Sequence, residues 1–293
     1  MNLVSLKMFC DLVETESFTK SARINKVTQS AISQQISSLE RHFNSLLIER
    51  SKKQFRLTRE GQAVYDYSKQ MVQDFASFHC KMQELKNIVS GSIQVAAVYS
   101  IGLHDLPHYI KKFLQAFPTV NVHVEYQRAN QIYEDVLGNV VDLGLVAFPQ
   151  KTNTLEIIPM HTYPMTLICH PQHPLAGRKS INLKDLAGQK VVGFAQDQPT
   201  RKAIDKVFQG VVMHYVMEFD TVETVKRAVE INTGVAIVPR STVRQEVVNK
   251  TLVAVPLEGA ALDRPWAVLC KKDKVLSPAM KQFITLLKEP PPV

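Results

Sequence analysis

Ser17–Phe43, SFTKSARINKVTQSAISQQISSLERHF, is the segment around which the chain is organised. It has the pattern of two short helices joined by a tight turn. In the second helix Ile32, Ile36, Leu39 and Phe43 recur at spacings of 4, 3 and 4, which makes one apolar stripe for burial. Ser30, Ser33, Gln34 and Ser37 recur at the same spacing on the opposite side. That outer face is small, uncharged and rich in hydrogen-bonding groups, so it can enter a DNA major groove and address base edges. An ordinary solvated helix presents a similar face, so the flanking segments must choose between the two.

Upstream, residues 3–15 predict a helix whose stripe is Leu3, Leu6, Phe9 and Leu12/Val13. Ser17 and Thr19 are candidate caps for the next helix, with Phe18 as a hydrophobic staple. That helix is short, about Lys20 to Asn25. Val27 is expected to tuck into the core. Thr28 caps the following helix, whose first turn is Gln29-Ser30-Ala31. Three helices with a short turn between the second and third form the helix-turn-helix pattern.

Downstream, Arg50–Arg59, RSKKQFRLTR, carries five basic residues in ten and no acid. Phe55 and Leu57 alternate with polar residues, which suits a short strand pair with Leu46, Leu47 and Ile48. A basic hairpin directly after such a helix pair is a wing. Its cations, Arg50, Lys52, Lys53 and Arg56, would neutralise phosphates. Elsewhere a basic hairpin is often plain solvated surface; adjacency to the helix pair favours the DNA role. Gln29–Leu39 contains no Lys or Arg, so nonspecific affinity for DNA falls to the wing and the helix ends.

Thr58 to Val89 holds no proline and predicts one long helix, capped by Thr58, with Gly61 in its first turn. Tyr67, Met71, Phe75, Phe78, Met82, Leu85 and Val89 follow coiled-coil spacing. One apolar stripe on a long helix needs a partner. Burial against its own chain would serve, but length and isolation favour the same helix of a second copy.

The 293 residues are 45% hydrophobic and 21% charged, an ordinary globular composition with material for two or three domains. A net charge of +8 permits a polyanionic partner without demanding one. No apolar run approaches the ~20 residues of a membrane helix. MNLVSLKMFCDLVETE carries acids and no small-residue cleavage site, so no signal peptide and no membrane association are expected, and the cytoplasm is the expected compartment. Cys10, Cys80, Cys169 and Cys270 lie far apart without a C-x-x-C pair, which removes zinc-ribbon and thioredoxin-like readings. Reduced, structural thiols are expected.

Beyond Ser90-Gly91-Ser92 the pattern changes. Strands are predicted over 93–98, 120–126, 141–146, 157–159, 165–169, 191–194, 215–219, 235–238, 252–255 and 266–270. They alternate with helices over 103–117 (interrupted at Pro107), 131–137, 199–208, 222–231, 242–248 and 278–287, and a frayed tail follows from Glu289. This predicts an α/β fold of two doubly wound lobes.

On these features the chain resembles the LysR-type transcriptional regulators over nearly its whole length. The carriers are FTKSARINKVTQSAISQQISSLE, LIERSKKQFRLTREG, the long helix, GSIQVAAVYS, VDLGLVAF, HPQHPLA and the GVAIVP run. There are departures: Ser30 where the family commonly has proline, Gln34 where a basic residue is frequent, Asn44 for a turn glycine, Ile48 for a phenylalanine, and Lys52 and Lys53 for wing arginines. They bear on base preference rather than on fold. The resemblance implies a winged helix-turn-helix domain (1–58), a dimerising linker helix (59–89) and a periplasmic-binding-protein-like effector domain. Its lobes are placed at 92–161 with 267–293, and at 162–266. The implied partners are double-stranded DNA, a small-molecule effector, a second copy through the linker helix, a homotetramer of two dimers, and RNA polymerase.

In open α/β lobes ligands bind beyond the carboxyl ends of strands, beside helix N-termini. Here those positions are Ser100 and Ile101, then Arg128, Ala129 and Asn130, then Val146 and Ala147. From the second lobe come Gln196, Thr200, Arg201, Asp220 and Thr221. Helix N-termini favour an anion. Ser100 matches the hydroxyl position that the family often aims at an effector carboxylate or sulfate, and Thr200-Arg201 would strengthen an anion site. Alternatively Ser100 and Thr200 are caps and Arg201 a solvated side chain. No cofactor or metal is expected: His104 and His108 lack an evident third ligand, and His170 and His173 read as loop residues. No G-x-S-x-G, P-loop, H-E-x-x-H or G-x-G-x-x-G occurs, so an enzyme is not expected. Two functions compete, a sequence-specific regulator that senses a small molecule, and a cytoplasmic small-molecule binding protein without specific DNA recognition.

Overall fold

The computed structural model describes residues 1–49, 55–258, 262–272 and 274–290. Its N-terminal unit is built from α1 (Leu3–Thr15), α2 (Phe18–Asn25) and α3 (Gln29–Phe43), followed by the long α4 (Arg59–Leu85). Each start has a side-chain cap. Asn2, Ser17, Thr28 and Thr58 accept from the backbone N–H of Ser5, Lys20, Ala31 and Gly61. Glu16, Lys26 and Asn44 end the first three helices in the left-handed region, with φ of 49°, 53° and 49°. Asn44 tolerates that conformation better than most residues, which explains how it stands in for a glycine. Phe9, Leu12, Ile32, Ile36, Leu39 and Leu47 form the core of this unit. Gly61 is obligatory for packing, since a Cβ there would lie 2.0 Å from the Leu47 carbonyl oxygen.

In chain order the C-terminal part runs β1 (Gly91–Ala97), α5 (Tyr99–His104), α6 (Leu106–Ala116), β2 (Val120–Tyr126), α7 (Ala129–Leu137), β3 (Leu143–Ala147), β4 (Leu155–Cys169), β5 (Ile181–Asn182), β6 (Lys190–Phe194), α8 (Pro199–Val207), β7 (His214–Phe219), α9 (Val222–Glu230), β8 (Ala236–Pro239), α10 (Arg244–Val248), β9 (Val253–Glu258), β10 (Asp263–Lys271) and α11 (Pro278–Leu287). In the first lobe β2, β1 and β3 pair in parallel. Antiparallel β10 and β4 continue that sheet and cross into the second lobe. There β4 pairs with β8 and β9, while β6 pairs with β7. Each lobe has its own core: Ile93, Tyr109, Phe113, Trp266 and Phe283 in the first, and Leu167, Val191, Ile204, Val225 and Val238 in the second. This is the expected architecture of a winged helix-turn-helix, a linker helix and two α/β lobes.

Several local expectations are corrected. The strands expected at 157–159 and 165–169 are one 15-residue strand, β4. Its prolines, Pro159 and Pro164, are accommodated within the ladder. The break before α6 falls at Asp105, with Pro107 inside the first turn, where a missing N–H costs nothing. The long helix ends at Leu85, and Val89 packs against the first lobe's core instead of extending the stripe. Val27 and Phe43, expected in the core, are 36% and 39% exposed. Both sit at helix ends, where the stripe runs off the three-helix core. Glu289 is tied down, its carbonyl accepting from the Tyr109 hydroxyl at 2.9 Å.

The N-terminal unit rests on the first lobe of its own chain. Glu14 of α1 is the junction. Its carboxylate accepts from Lys271 at 2.7 Å, from Asn139 at 2.7 Å and from the Tyr65 hydroxyl at 3.1 Å. Burial pushes the Glu14 pKa up, but Lys271, Lys69 and Tyr65 outweigh it and the net shift is downward.

Candidate functional site

Two sites emerge. The first is the outer face of α3. Gln29, Ser30, Ser33, Gln34 and Ser37 are all outside the core, and the buried stripe behind them fixes their direction. Thr28 caps the helix while its hydroxyl lies 2.9 Å from that of Ser30. Neighbouring Gln35 points the other way, accepting from the Ser5 hydroxyl at 2.9 Å, which leaves Gln34 as the outward amide. Beside the face stands the base of the wing. Ile48 and Leu57 form an antiparallel bridge, and the Glu49 N–H donates to the Arg56 carbonyl at 2.9 Å. Arg56 is exposed there. Arg50, Lys52 and Lys53 lie outside the described residues.

The linker stripe is open. Tyr67, Phe78 and Leu85 are 73%, 60% and 67% exposed, with Met71, Phe75 and Met82 between them on the same face. An apolar ribbon of this length left uncovered on a helix whose other side packs on the N-terminal core is the mark of an interaction surface.

The second site is a cavity of about 350 Å³ between the lobes. Ser100, Arg128, Ala129, Asn130, Thr200, Asp220 and Thr221 line it as expected. Tyr99, Asp197, Gln198 and Lys202 join them, unpredicted because turn and helix phase decide which neighbour faces inward. Four expected residues do not line it. Ile101, one step along α5 from Ser100, points into the first lobe's core. Val146 points to the opposite side of β3, whereas Ala147, named with it, lines the cavity, as strand alternation requires. Gln196 projects to solvent from the turn before α8.

Arg201 is the fourth, and the most consequential. Its side chain folds back along α8, away from the cavity. The guanidinium donates to Asp205, to the Phe194 carbonyl at 2.9 Å and to Glu218 at 2.6 Å, and it lies 3.5 Å from the centre of the Tyr215 ring. Burial works to lower its pKa, but Glu218 and Asp205 carry it upward. This residue clamps α8 to β6 and β7; no ligand oxygen is needed to satisfy it.

Arg128 does face the cavity, but it is engaged. It reaches from the first lobe to Asp197 at 3.3 Å and to Asp220, both on the second. A second bridge joins His104 Nε2 to Glu223 Oε1 at 2.6 Å. Burial, then the nearby Lys226 charge, lowers the His104 pKa despite Glu223. Behind Ser100 lies a residue the sequence did not flag. Arg264 of β10 is fully buried, and its Nη2 donates to Ser100 Oγ at 2.5 Å. Cys10, Cys169 and Cys270 are buried free thiols whose pKa values burial pushes up to about 12, about 11 and about 11.

With fold and sites in place, the comparisons are specific. Residues 3–62 match the model for the bacterial regulatory helix-turn-helix protein of the lysR family, and residues 86–290 match the LysR substrate binding domain. The chain therefore belongs to the LysR family of DNA-binding transcriptional regulators with an effector-binding domain. The transcriptional regulator CysL of Bacillus subtilis is 29% identical over 97% of this chain and 95% of its own. Among solved structures, a full-length OxyR variant from Pseudomonas aeruginosa superposes with a TM-score of 0.75 at 20% identity, covering 98% of this chain and 93% of that one. The CcmR regulatory domain from Synechocystis, solved with 2-PG, gives 0.63 at 23% identity, covering 68% and 96%. No helix among the described residues is long and apolar enough to cross a membrane.

Proposed function

We propose that this regulator acts in the cytoplasm as a dimer joined through the α4 stripe, two such dimers forming a tetramer on DNA, and that a small oxyanion in the interlobe cavity sets its state. The assigned boundaries are 1–58 for the DNA-binding domain, 59–89 for the linker, and 92–161 with 267–293 and 162–266 for the lobes. Thr28, Gln29, Ser30, Ser33 and Gln34 meet base edges and the adjoining backbone, while Arg50, Lys52, Lys53 and Arg56 meet phosphates. RNA polymerase is a further partner of the assembled complex.

The observation that carries this reading is the division of chemistry between neighbouring surfaces. The outward face of α3 is polar and uncharged, and the wing beside it is basic. Charge attracts any DNA, whereas uncharged hydrogen-bonding groups discriminate among bases. The test compares two substitutions on one duplex. Arg56→Ala should weaken binding to all sequences and lower the slope of log K against log salt by up to about 0.9. Ser33→Ala should leave that slope unchanged while altering sequence preference. Equal salt slopes for Arg56→Ala and the native chain would defeat the assignment of Arg56.

A further inference from the structure

A second cavity, of about 480 Å³, lies where the DNA-binding unit, the linker helix and the first lobe meet. Its walls come from α1 and the end of α2, from the middle of α4, and from β1, the segment after α7 and the end of β10 with the turn that follows. That size suits a small molecule. The cavity shares no lining residue with the one between the lobes.

The charges around it do not balance. Five lysines line it, Lys7, Lys26, Lys69, Lys271 and Lys274, against three carboxylates, those of Asp11, Glu14 and Asp142. Lys7 pairs with Asp11 at 2.6 Å, and Lys274 with Asp142 at 2.7 Å. Glu14 answers two cations at once, Lys271 at 2.7 Å and Lys69 at 3.4 Å. Lys26 has no carboxylate partner among the described residues. Two positive charges are thus left over. An ammonium has three hydrogens to donate. Asn25 takes one more from Lys7 and the Tyr65 hydroxyl one more from Lys69, so each of the five retains at least one. Between the lysines the wall is apolar, with Ile24, Val72, Ala76, Val140 and Met280. Lys271 and Lys274 are only 19% and 16% exposed, where attraction to an anion is stronger than in open water.

We propose that this junction cavity is a binding site for a multivalent oxyanion, a small molecule that carries two or more phosphate or carboxylate charges. Its oxygens take the spare ammonium hydrogens, and its carbon skeleton, where it has one, lies on the apolar wall. One negative charge would not cancel the surplus or offset repulsion from the three carboxylates; two or more do. Lysines offer flexible point charges in place of the planar fork of arginine, which suits charges spread over a molecule. The site is separate from the interlobe cavity and does not depend on the reading given to that one. Because its walls belong to the DNA-binding unit and to the first lobe alike, a bound anion joins them and favours their docked arrangement over an undocked one.

The test is calorimetric titration of the full-length chain with pyrophosphate and citrate, and with acetate as the monovalent control. At least one multivalent probe should bind the native chain, and more tightly than acetate. Lys26 is exposed, so Lys26→Glu should fold, and the reversed charge should weaken that binding about tenfold or more. Asp142 accepts from the Gln94 N–H at 2.8 Å, and Asp142→Asn keeps an oxygen for that bond while removing the charge that opposes Lys274. Affinity should rise several-fold, a gain that a merely structural role would not produce. Failure of both multivalent probes to bind, or acetate binding as tightly as they do, overturns the proposal. So does binding that Lys26→Glu and Asp142→Asn both leave at the native affinity, since the anion would then sit elsewhere, between the lobes or on the wing.

Discussion

Replacing Phe78 by alanine tests the linker interface at its most exposed phenylalanine. Phe78 is 60% exposed in the single chain, in line with Phe75 and Met82. Full burial of such a side chain contributes roughly 1.5–3 kcal/mol, so covering the exposed part contributes about 1–2 kcal/mol per copy. In a symmetric pair both copies lose it, a total of about 2–4 kcal/mol, or roughly 30- to 900-fold in the dimer dissociation constant. Sedimentation equilibrium across a concentration series measures this directly. Folding should be untouched, because the side chain is not part of a described core. A native chain that stays monomeric at micromolar concentration, or a variant with unchanged dissociation constant, refutes the interface.

The remaining predictions concern stability and docking. Lys226 is 1% exposed, and its ammonium donates to Glu246 at 2.8 Å and to the Thr242 carbonyl at 2.9 Å. Lys226→Met should destabilise the chain by about 3–5 kcal/mol in urea titration, because it strands a buried carboxylate; a loss below about 1 kcal/mol would contradict the network's importance. Glu14 has a lowered folded-state pKa, so its contribution is present above its unfolded value, about 4.3, and is lost as pH falls through the lower folded value. The melting temperature of Glu14→Gln should therefore trail that of the native chain at pH 7, and the two should converge in acid. A gap that persists at pH 2 would point to a cause other than ionisation. Arg201→Ala should loosen α8 and lower thermal stability without specifically abolishing oxyanion binding; unaltered stability with lost binding would restore Arg201 as a ligand residue.

The N-terminal unit could be read closely from sequence because its signals are local. The period of Ile32, Ile36 and Leu39 gives the buried face of α3, and Thr28 and Thr58 mark helix starts by their own side chains. The lobes could be read as alternation, but the continuity of β4 could not, because its pairing with β10 is a tertiary feature. The cavity was half visible. Strand ends and helix starts located Ser100, Arg128 and Thr200, because those rules depend on topology alone. Arg201 misled for a tertiary reason, since Glu218 and the Tyr215 ring that claim it come from another strand. Arg264 was invisible for the same reason: nothing in LDRPW reveals that the arginine meets Ser100 from 164 positions away in the chain.

The central claim is that α3 reads DNA sequence, and one measurement addresses it most directly. The purified full-length chain is used to select from genomic fragments, side by side with Gln34→Ala. Removing a side chain that hydrogen-bonds a base edge should cost roughly 1–3 kcal/mol of discrimination at that base pair. The expected result is one enriched motif with two-fold symmetry for the native chain, and a changed or relaxed base preference at matching half-site positions for the variant. No enriched motif for the native chain, or an identical motif for both, would contradict the claim.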